Sequence, residues 1–309
     1  MVAFTGLFRL VVLTAALLWW TGGCSRDRQA EQPADRLITV ADAGLRSPES
    51  VIHDHVADRY LVTNVNGSPL ARDGNGFVSR LAPDGSLEAL KWIDGTTPDV
   101  ILHAPKGMAI RGDTLFVADI DAVRLFDRAT GAAIGSWDVP GATSLNDIAL
   151  ASDGTVYVTD GGRRAGAGGL ESRGTDAVIR FDASGTPEPL VSGSALGGPN
   201  GIVVDKGRIV VVTYRTGRVI LIDAETGQIS GLPAPERGQL DGIAVDADGS
   251  YLMSSWEGSA VYRMQGGGLY VTAVTNVETP ADIGIDRKRK RLLIPLFASN
   301  RVLIRPLAP

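Results

Sequence analysis

The chain has 309 residues, 44% of them hydrophobic and 6% aromatic, with a formal net charge of −5. That length allows one large domain or two ordinary ones, and the mild acidity excludes a nucleic-acid partner, which would need a concentrated basic face. The 38 glycines, set among many short apolar runs, favour a turn-rich all-β protein.

The N-terminus reads "MVAFTGLFRLVVLTAALLWWTGGC". One positive charge, Arg9, precedes an uncharged apolar stretch from Leu10 to Trp20. This is the length of a signal peptide and is short for a membrane span. Thr21-Gly22-Gly23-Cys24 resembles a bacterial lipobox, with Thr21 where Leu is usual. Residues 1–23 are therefore expected to be a lipoprotein-type signal peptide and Cys24 a lipidation site. An ordinary cleaved signal with an incidental Cys is the alternative. Cys24 is the only Cys, so no disulfide forms within the chain. Residues 24–36, polar and aperiodic, read as a flexible tether. The expected location is outside the cytoplasm: a membrane-anchored lipoprotein on the periplasmic or cell-surface side, otherwise a secreted protein.

From Leu37 onward the chain repeats. Six segments each open a pair of strands: "SPESVIHDHVADRYLVTN", "APKGMAIRGDTLFVAD", "SLNDIALASDGTVYVTD", "GPNGIVVDKGRIVVVT", "QLDGIAVDADGSYLMSS" and "TPADIGIDRKRKRLLIPL". Each has Pro or Leu, one variable residue, an apolar run, a polar turn and a second, very hydrophobic strand. A third strand ending near an acid follows in most ("AVRLFD", "AVIRFD", "RVILID"), with a fourth outside it. The variable residues are Glu49, Lys106, Asn146, Asn200, Asp241 and Ala281, spaced by 57, 40, 54, 41 and 40. Four short strands every 40–50 residues or so is the signature of a β-propeller blade. Residues 37–309 are predicted to form six blades. The last repeat has room for only three strands, so the apolar segment "LITVA" at Leu37 to Ala41 is predicted to supply its outer strand and close the ring. Closure removes an exposed edge. The basic run "DRKRKR", Asp286 to Arg291, falls in a turn and reads as a solvated charge cluster.

In a propeller the first strand of each blade lines the central channel, so the variable positions converge. Glu49, Asn146, Asn200 and Asp241 put two carboxylates and two amides there. Oxygen donors of this kind suit a hard divalent cation, Ca²⁺ first, with Zn²⁺, Mn²⁺ or Mg²⁺ able to substitute. Lys106 in the same column could bind a substrate carboxylate or phosphate, or pair with Glu49 or Asp241.

With these motifs in hand, "PES", "LND", "PNG" and "LDG", each leading a strand pair, resemble the senescence marker protein and gluconolactonase family. The resemblance covers nearly the whole chain from Leu37. It implies a six-bladed propeller with one divalent ion in the channel and hydrolysis of sugar lactones. It implies that Glu49, Asn200 and Asp241 ligate the ion, that Asn146 lies beside them facing metal or substrate, and that Asp241 is the general base. Sugar-specific members often carry Arg two residues before the third-blade Asn; here that residue is Ser144.

Other expectations follow from position. The loops at Asn64 to Gly76 and Gly161 to Ala177 are expected at the metal rim, with Arg163, Arg164 and Arg173 as mobile donors. Tyr214, Trp256 and Phe297 end second strands, where they can stack on a ring or pack blades. Arg163 and Trp256, with Lys106 and Asn146, are the expected substrate contacts. His53 and His55 are expected on one strand face at the opposite rim, and His103 near the mouth. No Gly-x-Ser-x-Gly elbow marks a serine nucleophile. The expected function is an exported metal-dependent hydrolase of lactones or related esters, acting as a monomer on a small molecule. The alternative is a non-catalytic propeller that binds a small molecule or protein partner at the cell surface.

Overall fold

The computed structural model describes residues 1–3, 36–167 and 169–307. The expected signal peptide beyond residue 3, Cys24 and the tether up to residue 35 lie outside the described residues. By contacts the chain divides between Gln32 and Pro33, and the propeller belongs to the second unit.

Six four-stranded antiparallel sheets follow one another in sequence. The first blade has Pro48–Asp54, Arg59–Asn64, Phe77–Leu81 and Leu87–Asp94 from the inside out. The innermost strands of blades two to five are Pro105–Arg111, Leu145–Leu150, Pro199–Asp205 and Leu240–Val245. The sixth begins later, at Gly284–Asp286. Second strands are buried along their length, as the run "VYVTD" of Val156–Asp160 is, because a sheet covered on both faces needs apolar side chains on both. The outer strand Ala133–Asp138 is almost wholly exposed.

Stability comes from sheets packing face to face. Tyr157 and Val178 of the third blade meet Ile209, Val211, Ile220 and Ile222 of the fourth in one buried cluster. The ring closes as the repeat pattern predicts. Ile38–Val40 pairs with Arg301–Pro306 as the outer strand of the sixth sheet, with Val40 opposite Val302. Val40 is buried with Leu293 and Ile304 of that blade and with Val51 and Val62 of the first. Val40→Ala is expected to cost about 2 kcal/mol, from two lost methyl groups and the space they leave. Urea unfolding of the purified protein measures this, and a loss under about 0.5 kcal/mol would show that the strand does not hold the closure.

Candidate functional site

One backbone irregularity recurs in five blades and builds the site. In the first blade Pro48 faces Asn64, yet Val51 faces Val62, so one extra residue is squeezed into the inner strand. The same slip separates Pro105 from Met108, Leu145 from Ile148, Pro199 from Ile202 and Leu240 from Ile243. Such a bulge re-aims the side chains within it. The residues it contains are Glu49, Lys106, Asn146, Asn200 and Asp241, each with its successor. In the sixth blade Ala281 lies ahead of the strand, and its N–H is bound to the Pro295 carbonyl.

The segments entering the bulges are braced by polar groups at the ends of second strands. Asp119 accepts the backbone N–H groups of His103 and Ala104. Asp160 does the same for Thr143 and Ser144, and Asn64 for Arg46. Hydroxyls then link neighbouring blades. Thr159 accepts the Asp147 N–H and donates to the Asn200 carbonyl; Ser254 accepts the Gly242 N–H and donates to the Ala281 carbonyl. Close approach explains the Gly of "DG": a Cβ at Gly242 would lie 2.5 Å from the Cα of Asp282.

Glu49, Lys106, Asn146, Asn200 and Asp241 are all buried, and all line one cavity of about 520 Å³. The Nδ2 of Asn146 lies 3.5 Å from Oε1 of Glu49. Four side-chain oxygens have nothing to bind: Glu49 Oε2, Asn146 Oδ1, Asn200 Oδ1 and Asp241 Oδ1 are buried without a hydrogen-bond partner. Buried acceptors are normally satisfied. Four orphaned ones, from four blades and on one cavity, fit a cation that uses them as ligands. Among the described residues no three His, Cys, Asp or Glu side chains form a metal-sized cluster; two acids and two amides are the donor set, which suits a hard cation.

The electrostatics agree with this fit. Burial, reinforced by Asp241 and partly offset by Lys106, holds the Glu49 carboxyl well above the usual range. Burial, then Asp282, pushes Asp241 up to about 8, while Arg163 opposes the shift. Two further buried acids follow the column, Asp147 and Asp282, in the place where the second, fourth and fifth blades have Gly. Asp147 accepts the N–H groups of Ile148 and Ile202, and Asp282 accepts the Ser50 hydroxyl. Sequence reasoning missed this pair; the signal was an acid at a position otherwise given to Gly, in "LND" and "PAD".

The wall of the cavity is aromatic on one side. Tyr214, Trp256 and Phe297 form a chain of ring contacts, with centroids 5.4 and 5.5 Å apart. Arg163 lies over the Tyr214 ring at 4.5 Å and lines the same cavity.

Several expectations are corrected. Gly161 to Ala177 is no open loop: Arg163–Gly166 and Gly169–Ser172 pair as a hairpin. Arg163 stands over the Tyr214 ring there, and Arg164 lies 3.2 Å from Glu171. Lys106 forms no ion pair with Glu49 or Asp241; its Nζ donates to the Ala104 carbonyl at 3.1 Å. His103 faces a second, shallower cavity and its Nδ1 accepts the Gly74 N–H. His53 binds Asp58 and Asp286, while His55 falls in the exposed turn after the strand. The basic run is only partly solvated. Lys288 and Arg289 pair with Asp58, and Arg291 is buried with Nη1 on the Pro83 carbonyl, because the turn packs back on the first blade.

A family model described as the SMP-30/gluconolactonase/LRE-like region matches residues 80–285. No curated protein sequence matches the chain. Among solved structures it is similar to a gluconolactonase from Xanthomonas campestris, at 19% identity over 89% of this chain and 90% of that one, with a TM-score of 0.68. It is also similar to a catalytically inactive virginiamycin B lyase from Staphylococcus aureus, at 13% identity, 87% and 98% coverage and a TM-score of 0.58. A chain of a nidogen/laminin complex matches at 18% identity, 79% and 82% coverage and a TM-score of 0.58. At such identities these three likenesses speak to fold alone.

Proposed function

The chain belongs to the SMP-30/gluconolactonase/LRE-like family, and on that premise we propose that it is a metal-dependent hydrolase of lactones or related esters. The observation that carries the reading is the set of four orphaned oxygens on one cavity. Glu49, Asn146, Asn200 and Asp241 would hold the ion, with Ca²⁺ the best match to two carboxylates and two amides. Bound there, a divalent cation would polarise the substrate carbonyl and stabilise negative charge on its oxygen.

The chain's own groups do the rest. Asp241 takes a proton from the attacking water, and its carboxylic acid returns that proton to the alkoxide oxygen released when the ring C–O bond breaks. A cation lowers the basicity of a carboxylate that binds it, so Asp241 works best as the most loosely held of the four. Asn146 orients the Glu49 carboxyl through its Nδ2. Tyr214, Trp256 and Phe297 offer an apolar face to the substrate ring and exclude water from one side.

The test is metal analysis of the purified protein, followed by a panel of lactones with and without chelator. Ring opening that chelation abolishes and added cation restores is expected. Bound metal with no turnover of any lactone or ester would replace this reading with that of a surface-tethered binding protein. We also propose export and membrane anchoring, on the character of residues 1–23 and Cys24. Fatty-acid labelling in a bacterial host, lost in Cys24→Ala, is the expected result, and equal labelling of the variant would overturn it.

A further inference from the structure

Two cations line the cavity with no carboxylate in ion-pair contact among the described residues. Lys106 is 3% exposed, and its ammonium spends one N–H on the Ala104 carbonyl. Among the described residues it has no ion pair. Arg163 rests on the Tyr214 face, and its guanidinium likewise has no carboxylate partner among the described residues. The other charged groups on the lining cancel: Arg215 is paired with Asp176 at 2.5 Å and Glu171 with Arg164 at 3.2 Å. Glu49 and Asp241 together balance a 2+ ion. Glu49, Asp119 and Asp160 act on Lys106, and Asp241 on Arg163, only at a distance; with no carboxylate in contact, both cations keep unspent N–H donors beside an apolar wall. Asp147 and Asp282 do not line the cavity; both Asp147 oxygens accept backbone N–H groups and Oδ2 of Asp282 accepts the Ser50 hydroxyl.

An unpaired buried cation is costly. A charge kept at such a place, facing open volume, matches a ligand of opposite sign. Trp256 adds a neutral donor on the same wall: its Nε1 is buried with no partner. A neutral polyol would thus meet cations rather than matched hydroxyl partners.

We infer that the substrate of this site is an anionic lactone: its ring lies against Trp256 and Phe297, and its carboxylate is received by Lys106 and Arg163. The inference rests on the hydrolase reading above and narrows its substrate class. We take carboxylate over phosphate because the donors on this wall are few, Lys106, Arg163 and one indole N–H. No helix N-terminus on the cavity lining offers the cluster of backbone donors that phosphates usually find.

The experiment compares ring opening of a γ-butyrolactone that carries a ring carboxylate with its neutral carboxamide, by the cation-supplied protein. Wild-type kcat/KM is expected to favour the carboxylate at least about a hundredfold, through KM, as befits a desolvated charge pair. Lys106→Met and Arg163→Gln are each expected to bring that ratio within about tenfold of unity. Turnover of both compounds with no preference, or with the carboxamide favoured, overturns this inference and leaves the hydrolase reading standing. So does a wild-type preference that neither variant moves. Preference for a phosphate-bearing lactone overturns the choice of acid group. If neither compound opens, calorimetry with the corresponding lactams decides. Lactam carboxylate binding that Lys106→Met weakens at least about tenfold upholds the anion site; equal binding of lactam carboxylate and carboxamide overturns it. Arg163 lies on a surface hairpin, so its variant serves if Lys106→Met fails to fold.

Discussion

Asp241→Asn is expected to lower kcat/KM on every lactone substrate by about a thousandfold, the scale of losing a positioned general base. Asn keeps the shape and one oxygen for a cation but cannot accept and return the water proton. The fold should not suffer. Asp241 Oδ1 has no hydrogen-bond partner to lose, and a neutral amide removes the repulsion that Asp241 exerts on Glu49. The metal-free variant should therefore melt at the same temperature as the wild type or above it. Steady-state kinetics and thermal denaturation of both proteins test the two halves together. A variant that keeps turnover within tenfold of the wild type would remove Asp241 from the mechanism.

Chelation should steepen the fall of stability with rising pH. In the metal-free protein Asp241 is pushed up to about 8 and Asp282 to about 7, both by burial first. Their ordinary value when unfolded is near 4. The native state therefore binds more protons than the unfolded chain between these limits, and stability falls as pH rises through that window. Above about pH 8 the loss is complete. A bound divalent cation supplies the missing countercharge, so the loaded protein should be spared much of the fall. Its melting temperature at pH 8 should exceed that of the chelated protein by roughly 5 °C or more. Cation affinity should weaken as pH drops below 8, because protons compete for Asp241 and Glu49. Melting curves at pH 5, 6.5 and 8, with EDTA or with CaCl2, read these trends. A chelated protein that gains stability from pH 5 to pH 8, with no response to any divalent cation, would refute the metal site.

Much of this molecule was legible before any coordinates. The blade count followed from the spacing of Glu49, Lys106, Asn146, Asn200, Asp241 and Ala281, because each sheet must bury both faces of its second strand and each polar turn must break the apolar run. The closing role of Ile38–Val40 followed from a simple shortage, three strands in the last repeat where four are needed. Local pattern misled where a neighbour far along the chain intervened. The glycines of Gly161 to Ala177 suggested an open loop, but the segment pairs with itself and sets Arg163 on Tyr214, a residue of the next blade. The charges of "DRKRKR" suggested solvent, but Asp58 and Pro83 reach them across the ring closure.

By itself, then, the sequence determined the repeat, the architecture and the column of residues that meet at the channel, since burial periodicity is written into each strand. Only the tertiary structure decided how those residues face one another. Glu49 and Asn146 are 97 positions apart and come within 3.5 Å only because the ring closes. The bulges that turn them inward, the oxygens left without partners and the two cations without a contacting carboxylate are properties of that closed ring, in which each side chain's surroundings are supplied by other blades.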